Sequence, residues 1–146
     1  MSEALVAKAE QVAQNAYAPY SEYLVGAVVR TKDGREFSGT NVENAAYPLG
    51  VCAEKTAISA AATAGYRPGD IEAIGITASP CGGCRQWLYE WRIEDVSYRR
   101  GDGSIGQAAA GVMEGAGFEL EARVRTWHLD VSTLGHPWDA GRRVLG

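Results

Sequence analysis

Cys52, Cys81 and Cys84 are the three cysteines of this 146-residue chain, and two of them stand in the stretch PCGGC, residues 80–84. A Cys-x-x-Cys pair serves as a redox couple, as half of a zinc site, or as two inert thiols that share a neighbourhood. Proline is favourable just inside a helix start, so Pro80 is expected to open a helix with Cys81 and Cys84 in its first turn. Residues three apart share a helix face, which lets both sulfurs point to one spot. Free N–H groups and the helix dipole at that end favour negative charge and lower thiol pKa values. Cys52 repeats the construction in PLGVCAEKTA, with Glu54 two residues on. Two helix tips meeting head to head would assemble three thiolates with a carboxylate beside them.

Zinc takes four tetrahedral ligands, and catalytic sites leave one of them to water. Three cysteines plus water meet that requirement. A structural site would need a fourth protein ligand, for which the chain offers His128 or His136. A redox pair would leave Cys52 and Glu54 without a role. The combined order Cys52-Ala53-Glu54, then Pro80-Cys81-x-x-Cys84, is the pattern of zinc deaminases, in which a glutamate that is not a ligand moves protons.

These residues must be delivered by a scaffold that the hydrophobic pattern outlines. Leu5, Val6, Ala9, Val12, Ala13 and Ala16 recur at helical spacing, which predicts a helix over residues 3–16. YLVGAVVRT and EFSGTNVE flank KDGR, and Asp-Gly between two β-rich runs signals a hairpin. CAEKTAISAAATAG reads as a second helix that stops at Gly65. IEAIGITAS is apolar at most positions and reads as a central strand. A short helix over 82–91 and a strand at DVSYRR follow. That order predicts a mixed sheet with helices on both faces, an α/β fold. Further on, IGQAAAGVMEGAG is read as a helix and FELEARVRTWHLDV as a last strand.

Composition narrows the partners. The net charge is −4 and the pI about 5.2, a balance unlike the basic face that nucleic acid requires. Arginine pairs in YRRGDG and GRRVLG are read as solvated loop residues. No run approaches the roughly 18–20 apolar residues of a membrane span, and the N-terminal stretch carries acids at helical rhythm rather than a basic, then apolar leader. A single cytoplasmic domain over 1–146, with neither nucleic-acid nor membrane partners, is the expectation.

NVENAAYPLGVCAEKTA and SPCGGCRQWLYE, together with YAPYSEYLVGAVV, closely resemble the small homotetrameric cytidine deaminases. The likeness runs over about residues 12–92 and fades from residue 93 onward. It implies a three-layer α/β/α sandwich around a mixed sheet of about five strands, and one Zn2+ per subunit held by Cys52, Cys81 and Cys84. It also implies a homotetramer with active sites near subunit interfaces. The implied reaction is hydrolytic deamination of cytidine or deoxycytidine. Zinc-activated hydroxide attacks C4, and Glu54 takes the water's proton, passes it to N3, and then protonates the departing amine. Asn41 and Glu43, two apart on one strand face, match the family's ribose-binding pair. Tyr23 stands where the family has a phenylalanine beside the base, Tyr47 where it has an aromatic at a subunit contact. Ala53 and the Ser79 carbonyl complete the substrate-facing set.

The chain also departs from the family. Lys55 follows the glutamate where many relatives carry an arginine that offsets the thiolate charge, and Arg85 beside Cys84 is a second candidate for that task. An insertion around residues 103–120 precedes TLGHPW, whose Trp138 stands roughly where relatives place an aromatic that enters a neighbour's site. These differences suggest tolerance for cytidines with larger C4 leaving groups. Alternatives are the same chemistry on a modified pyrimidine nucleoside, such as an N4-substituted cytidine or a blasticidin-like antibiotic, and a structural zinc-binding interaction module.

Overall fold

The computed structural model describes residues 2–108, all within one compact unit, Met1–Met113. Three α-helices, α1 (Ser2–Ala13), α2 (Ala53–Thr63) and α3 (Gly82–Glu90), pack with five strands: β1 (Gly26–Thr31), β2 (Glu36–Thr40), β3 (Ile71–Ile76), β4 (Asp95–Arg99) and β5 (Ile105–Ala108). The sheet order is β2-β1-β3-β4-β5. β3 and β4 run parallel and the other neighbours antiparallel, so the sheet is mixed.

β3 occupies the centre, as its near-continuous apolar sequence requires, because a strand covered on both faces has no polar side to offer. Alternation along β1 divides the core. Ala27 and Val29 face a cluster with Ala57, Ile58 and Ala61 of α2 and Leu88 of α3. Val28 faces Leu5 and Ala9 of α1 on the other side. One helix on one face and two on the other make the α/β/α layering expected from the sequence. Full burial of a residue such as Leu5 or Ile58 contributes roughly 1.5–3 kcal/mol each.

The second helix sits unusually close to the sheet. A Cβ on Gly39 of β2 would lie 2.3 Å from Ala57 N and 2.5 Å from Ala53 O, so only glycine lets the first turn of α2 settle there. At its far end Gly65 has φ +103°. Its N–H reaches Ala62 O at 3.0 Å, and the Tyr66 N–H reaches Ala61 O at 3.1 Å, satisfying carbonyls the helix leaves open.

Four details differ from the sequence reading. The first helix ends at Ala13 rather than continuing to 16, because Tyr17 is drawn into backbone bonds with Asn41 and Glu43. Pro80 lies outside α3: Cys81 is the N-cap and Gly82 the first helical residue. Pro80 is buried, and its carbonyl accepts the Arg85 Nε at 3.0 Å, which holds the proline before the cap. Asn41 and Glu43 lie just past β2, which ends at Thr40; extended geometry persists because Val42 between them bridges Tyr17 and Val51.

The fourth difference is the start of the expected helix IGQAAAGVMEGAG. Residues 105–108 form β5 instead, antiparallel to β4. A turn closed by Arg100 N–H to Ser104 O, 2.8 Å, returns the chain along β4's open edge. Ladder bonds along that edge outweigh the local helical preference of alanines. Gly106 fits because any Cβ there would stand 2.6 Å from the Tyr98 ring. The expected strand over 118–131, most of the insertion, and Trp138 lie outside the described residues.

Substituting Gly39→Ala is expected to lower unfolding stability by at least about 1–3 kcal/mol, since the added methyl meets backbone rather than a side chain that can turn aside. Denaturant titration measures it; an unchanged midpoint would refute the close approach of α2.

Candidate metal centre and substrate cavity

Both helix tips present cysteine at the N-cap. Cys52 (φ −79°, ψ 157°) caps α2 and Cys81 (φ −70°, ψ 169°) caps α3, and neither sulfur makes a capping hydrogen bond, although the amides of the first turn of α3 lie near enough to Cys81 to act on its thiol. N-cap positions ordinarily carry a short oxygen side chain that accepts from the first turn. Here the sulfurs turn to each other instead. Cys52 Sγ and Cys81 Sγ are 3.9 Å apart, and with Cys84 all three sulfurs lie within 4.8 Å of one another. Tetrahedral thiolate ligands at the usual Zn–S length of about 2.3 Å sit about 3.8 Å apart. The donor set and its spacing therefore fit zinc.

Electrostatics at the three sulfurs is unequal. Contact with the Cys52 thiol, then with Cys84 and the N–H groups of Cys84 and Gly83, holds the Cys81 thiol far below the ordinary range. The Cys84 thiol, fully buried, is pushed up by contact with Cys52 and Cys81 and by burial. The open amides at the start of α3 add to the stabilisation of a thiolate at Cys81, as a helix N-terminus favours. A divalent cation removes the conflict by stabilising all three as thiolates.

Glu54, in the first turn of α2, is 4% exposed. Burial pushes its carboxyl up, opposed by its own backbone N–H and the Cys84 thiol. A carboxyl raised above its ordinary range suits proton transfer. The Lys55 ammonium lies over the start of α3: a Cβ on Gly83 would stand 3.4 Å from Lys55 Nζ and 3.9 Å from Cys81 Sγ. Arg85 is buried, 6% exposed, and donates to the Pro80 carbonyl.

Beside this cluster opens a cavity of about 350 Å³, lined by Cys52, Ala53, Glu54, Ser79 and Cys81 at one end and by Tyr23, Asn41, Glu43 and Tyr47 elsewhere. That volume suits a small organic ligand. Every substrate-facing residue expected from the sequence therefore lines one cavity, whereas Lys55 and Arg85 do not.

Asn41 and Glu43 also pin the loop that forms one wall. Asn41 Oδ1 accepts the Val25 N–H at 2.9 Å while its Nδ2 donates to Tyr23 O at 2.7 Å. Glu43 Oε1 accepts the N–H groups of Tyr20 and Ser21 at 3.0 and 3.1 Å. These bonds to Ser21, with the Tyr20 N–H, hold the Glu43 carboxyl below its usual range. Ser21, Val25, Asn44, Gly50, Val51 and Ala78 line the cavity too and went unassigned in the sequence reading. Only the folded chain brings Ser21 to Glu43, 22 residues away.

His128 and His136, the alternative fourth ligands, lie outside the described residues. No described helix is long and apolar enough to cross a membrane.

A family model for the cytidine and deoxycytidylate deaminase zinc-binding region matches residues 1–100. A cytidine deaminase of Halalkalibacterium halodurans is 44% identical over 92 residues, covering 59% of this chain and 68% of that protein. A crystal structure of cytidine deaminase from Burkholderia pseudomallei is 41% identical with a TM-score of 0.71, over 76% of this chain and 94% of that one. Cytidine deaminase from Mycobacterium tuberculosis superposes with a TM-score of 0.63 at 33% identity, over 75% of this chain and 89% of that one.

Elemental analysis is expected to find one zinc per chain, and Cys84→Ser to lose most of it on mild chelation. Cobalt substitution checks the ligand set: three sulfurs with one oxygen are expected, and a histidine nitrogen in the fourth place would overturn it.

Proposed function

Because the chain belongs to the cytidine and deoxycytidylate deaminase zinc-binding family, we propose that this zinc-dependent deaminase removes the C4 amino group of free cytidine or deoxycytidine. The observation that carries this is one cavity lined by two of three clustered cysteines, by the buried Glu54, and by Asn41 and Glu43.

Zinc held by Cys52, Cys81 and Cys84 supplies the Lewis acidity that makes water nucleophilic near neutral pH. Glu54 takes the proton released as water adds to C4 and delivers it to N3. It then takes the proton of the new C4 hydroxyl and passes it to the departing amine, so that the C4–O bond becomes a carbonyl and cytidine and water become uridine and ammonia. Its low exposure favours this by keeping competing water from the carboxyl. The Ser79 carbonyl, beside Pro80 at the cavity edge, accepts a hydrogen bond from the amine, and Ala53 at the start of α2 walls the base. Tyr23 packs on the base and Asn41 and Glu43 meet the sugar hydroxyls. Lys55 and Arg85 offset the thiolate charge from outside the cavity.

A nucleoside is favoured over its 5′-phosphate by what the cavity carries. Among the described residues its lining includes the carboxyl groups of Glu43 and Glu54 and no lysine, arginine or histidine. A phosphate there would meet like charge and no charge-assisted donor from a basic side chain.

The assembly is read as a homotetramer that closes around the cavity mouth. The large apolar side chains left exposed among the described residues are Tyr17, Tyr20, Tyr23, Leu24, Val42, Tyr47, Leu49 and Val51. All belong to two segments that border the cavity, and Tyr47 is 82% exposed. A concentration of exposed apolar area of this kind marks an association surface.

Following the loss of cytidine absorbance tests the chemistry. Glu54→Ala is expected to keep its zinc and lose roughly 10²–10⁴-fold in kcat; near wild-type turnover would overturn the assignment. Cytidine is expected to be turned over far more efficiently than cytidine 5′-monophosphate, and equal efficiency would refute the nucleoside preference. Light scattering is expected to give the mass of four chains, with Tyr47→Glu shifting it downward; a monomer at working concentration would refute the tetramer.

A further inference from the structure

One backbone angle organises the cavity wall built from residues 18–25. Ala18 to Glu22 is a single helical turn, closed by the Glu22 N–H to Ala18 O at 3.0 Å. A lone turn leaves its inner N–H groups without partners of its own. Those of Tyr20 and Ser21 both go to Glu43 Oε1, at 3.0 and 3.1 Å. Past the turn the chain serves Asn41, whose Nδ2 donates to Tyr23 O at 2.7 Å and whose Oδ1 accepts the Val25 N–H at 2.9 Å. Glu22 stands between these two clamps at φ +56°, a left-handed conformation uncommon in a residue with a Cβ. Its side chain is exposed, while Ser21 and Tyr23 on either side line the cavity.

We propose that Glu22 is a positioning residue of the substrate site, acting through its backbone. The left-handed turn at this residue directs the amides before it to Glu43 and the groups after it to Asn41. Asn41 and Glu43 are only two residues apart, so both clamps must reach one short stretch of chain. A residue 22 that continued the helical turn, or ran straight on, would carry Tyr23 and Val25 away from Asn41 while the turn held Glu43. Strained backbone of this kind persists where surrounding bonds over-determine it, as four do here. The proposal rests on the assignment of Asn41 and Glu43 to the sugar made above. Disturbing residue 22 lowers the fraction of chains with both groups in place, and saturating substrate restores it. KM therefore rises and kcat holds.

The experiment is steady-state kinetics of the zinc-loaded protein on cytidine with Glu22→Val, Glu22→Gly, Glu22→Asn and Glu43→Ala. Zinc content and the hydrogen-exchange rates of the Tyr20 and Ser21 amides are measured on each. Valine, β-branched, resists the left-handed region, whereas glycine and asparagine enter it readily. Glu22→Val is expected to raise KM about ten-fold with kcat and zinc unchanged, and to speed exchange at both amides. Glu22→Gly and Glu22→Asn keep the wild-type KM, although each removes the same carboxylate.

An unchanged KM in Glu22→Val beside a raised KM in Glu43→Ala overturns the role of residue 22 and leaves the sugar assignment standing. An unchanged KM in Glu43→Ala overturns the sugar assignment, and the proposal with it. An equal rise in all three Glu22 variants would trace the effect to the carboxylate rather than the backbone. That result, unchanged amide exchange in Glu22→Val, or a fall in its kcat or zinc content ends the proposal.

Discussion

Like charges repel, and three thiolates within 4.8 Å of one another need something to hold them there. Two helix N-termini and a divalent cation do so. The sulfurs stand where open backbone N–H groups and helix dipoles favour negative charge, so neither Cys52 nor Cys81 caps its own helix in the ordinary way. Everything else in the described fold serves that meeting of helix tips. α2 reaches it only because Gly39 lets the helix lie against β2. α3 reaches it because the loop from central β3 turns through buried Pro80, whose carbonyl is tied to Arg85.

The same geometry sets the polarity of the site. Next to the sulfurs is a carboxyl pushed up by burial, Glu54; farther off is one held down by backbone donors, Glu43. Two acids of one type thus hold opposite tendencies, set by what surrounds each. The first suits carrying a proton and the second suits accepting hydrogen bonds while ionised.

Elements with a repeating pattern were legible in sequence. The β1–β2 hairpin around Asp33-Gly34, α2 with its stop at Gly65, and the central placement of β3 each follow from local turn chemistry or from burial on both faces. Errors fell where a tertiary or side-chain contact decides rather than local composition. Residues 105–108 have helical composition, yet the open edge of β4 offers ladder bonds that an isolated helix cannot match. Pro80 looked like a helix opener, but the Arg85 side chain holds it one position before the cap. The early end of α1 is likewise set by Tyr17 bonding to residues 41 and 43.

Residue type and spacing alone determined that this chain carries a thiolate metal site with a carboxyl nearby. Sulfur's affinity for zinc and the facing of positions three apart on a helix are local properties, readable from Cys81, Cys84, Cys52 and Glu54 in order. Spacing could not reveal that Asn41 and Glu43 also fasten residues 20–25, or that Ser21 belongs beside Glu43. Those contacts join segments 16–23 residues apart, and such pairings exist only once the sheet has set the path between them.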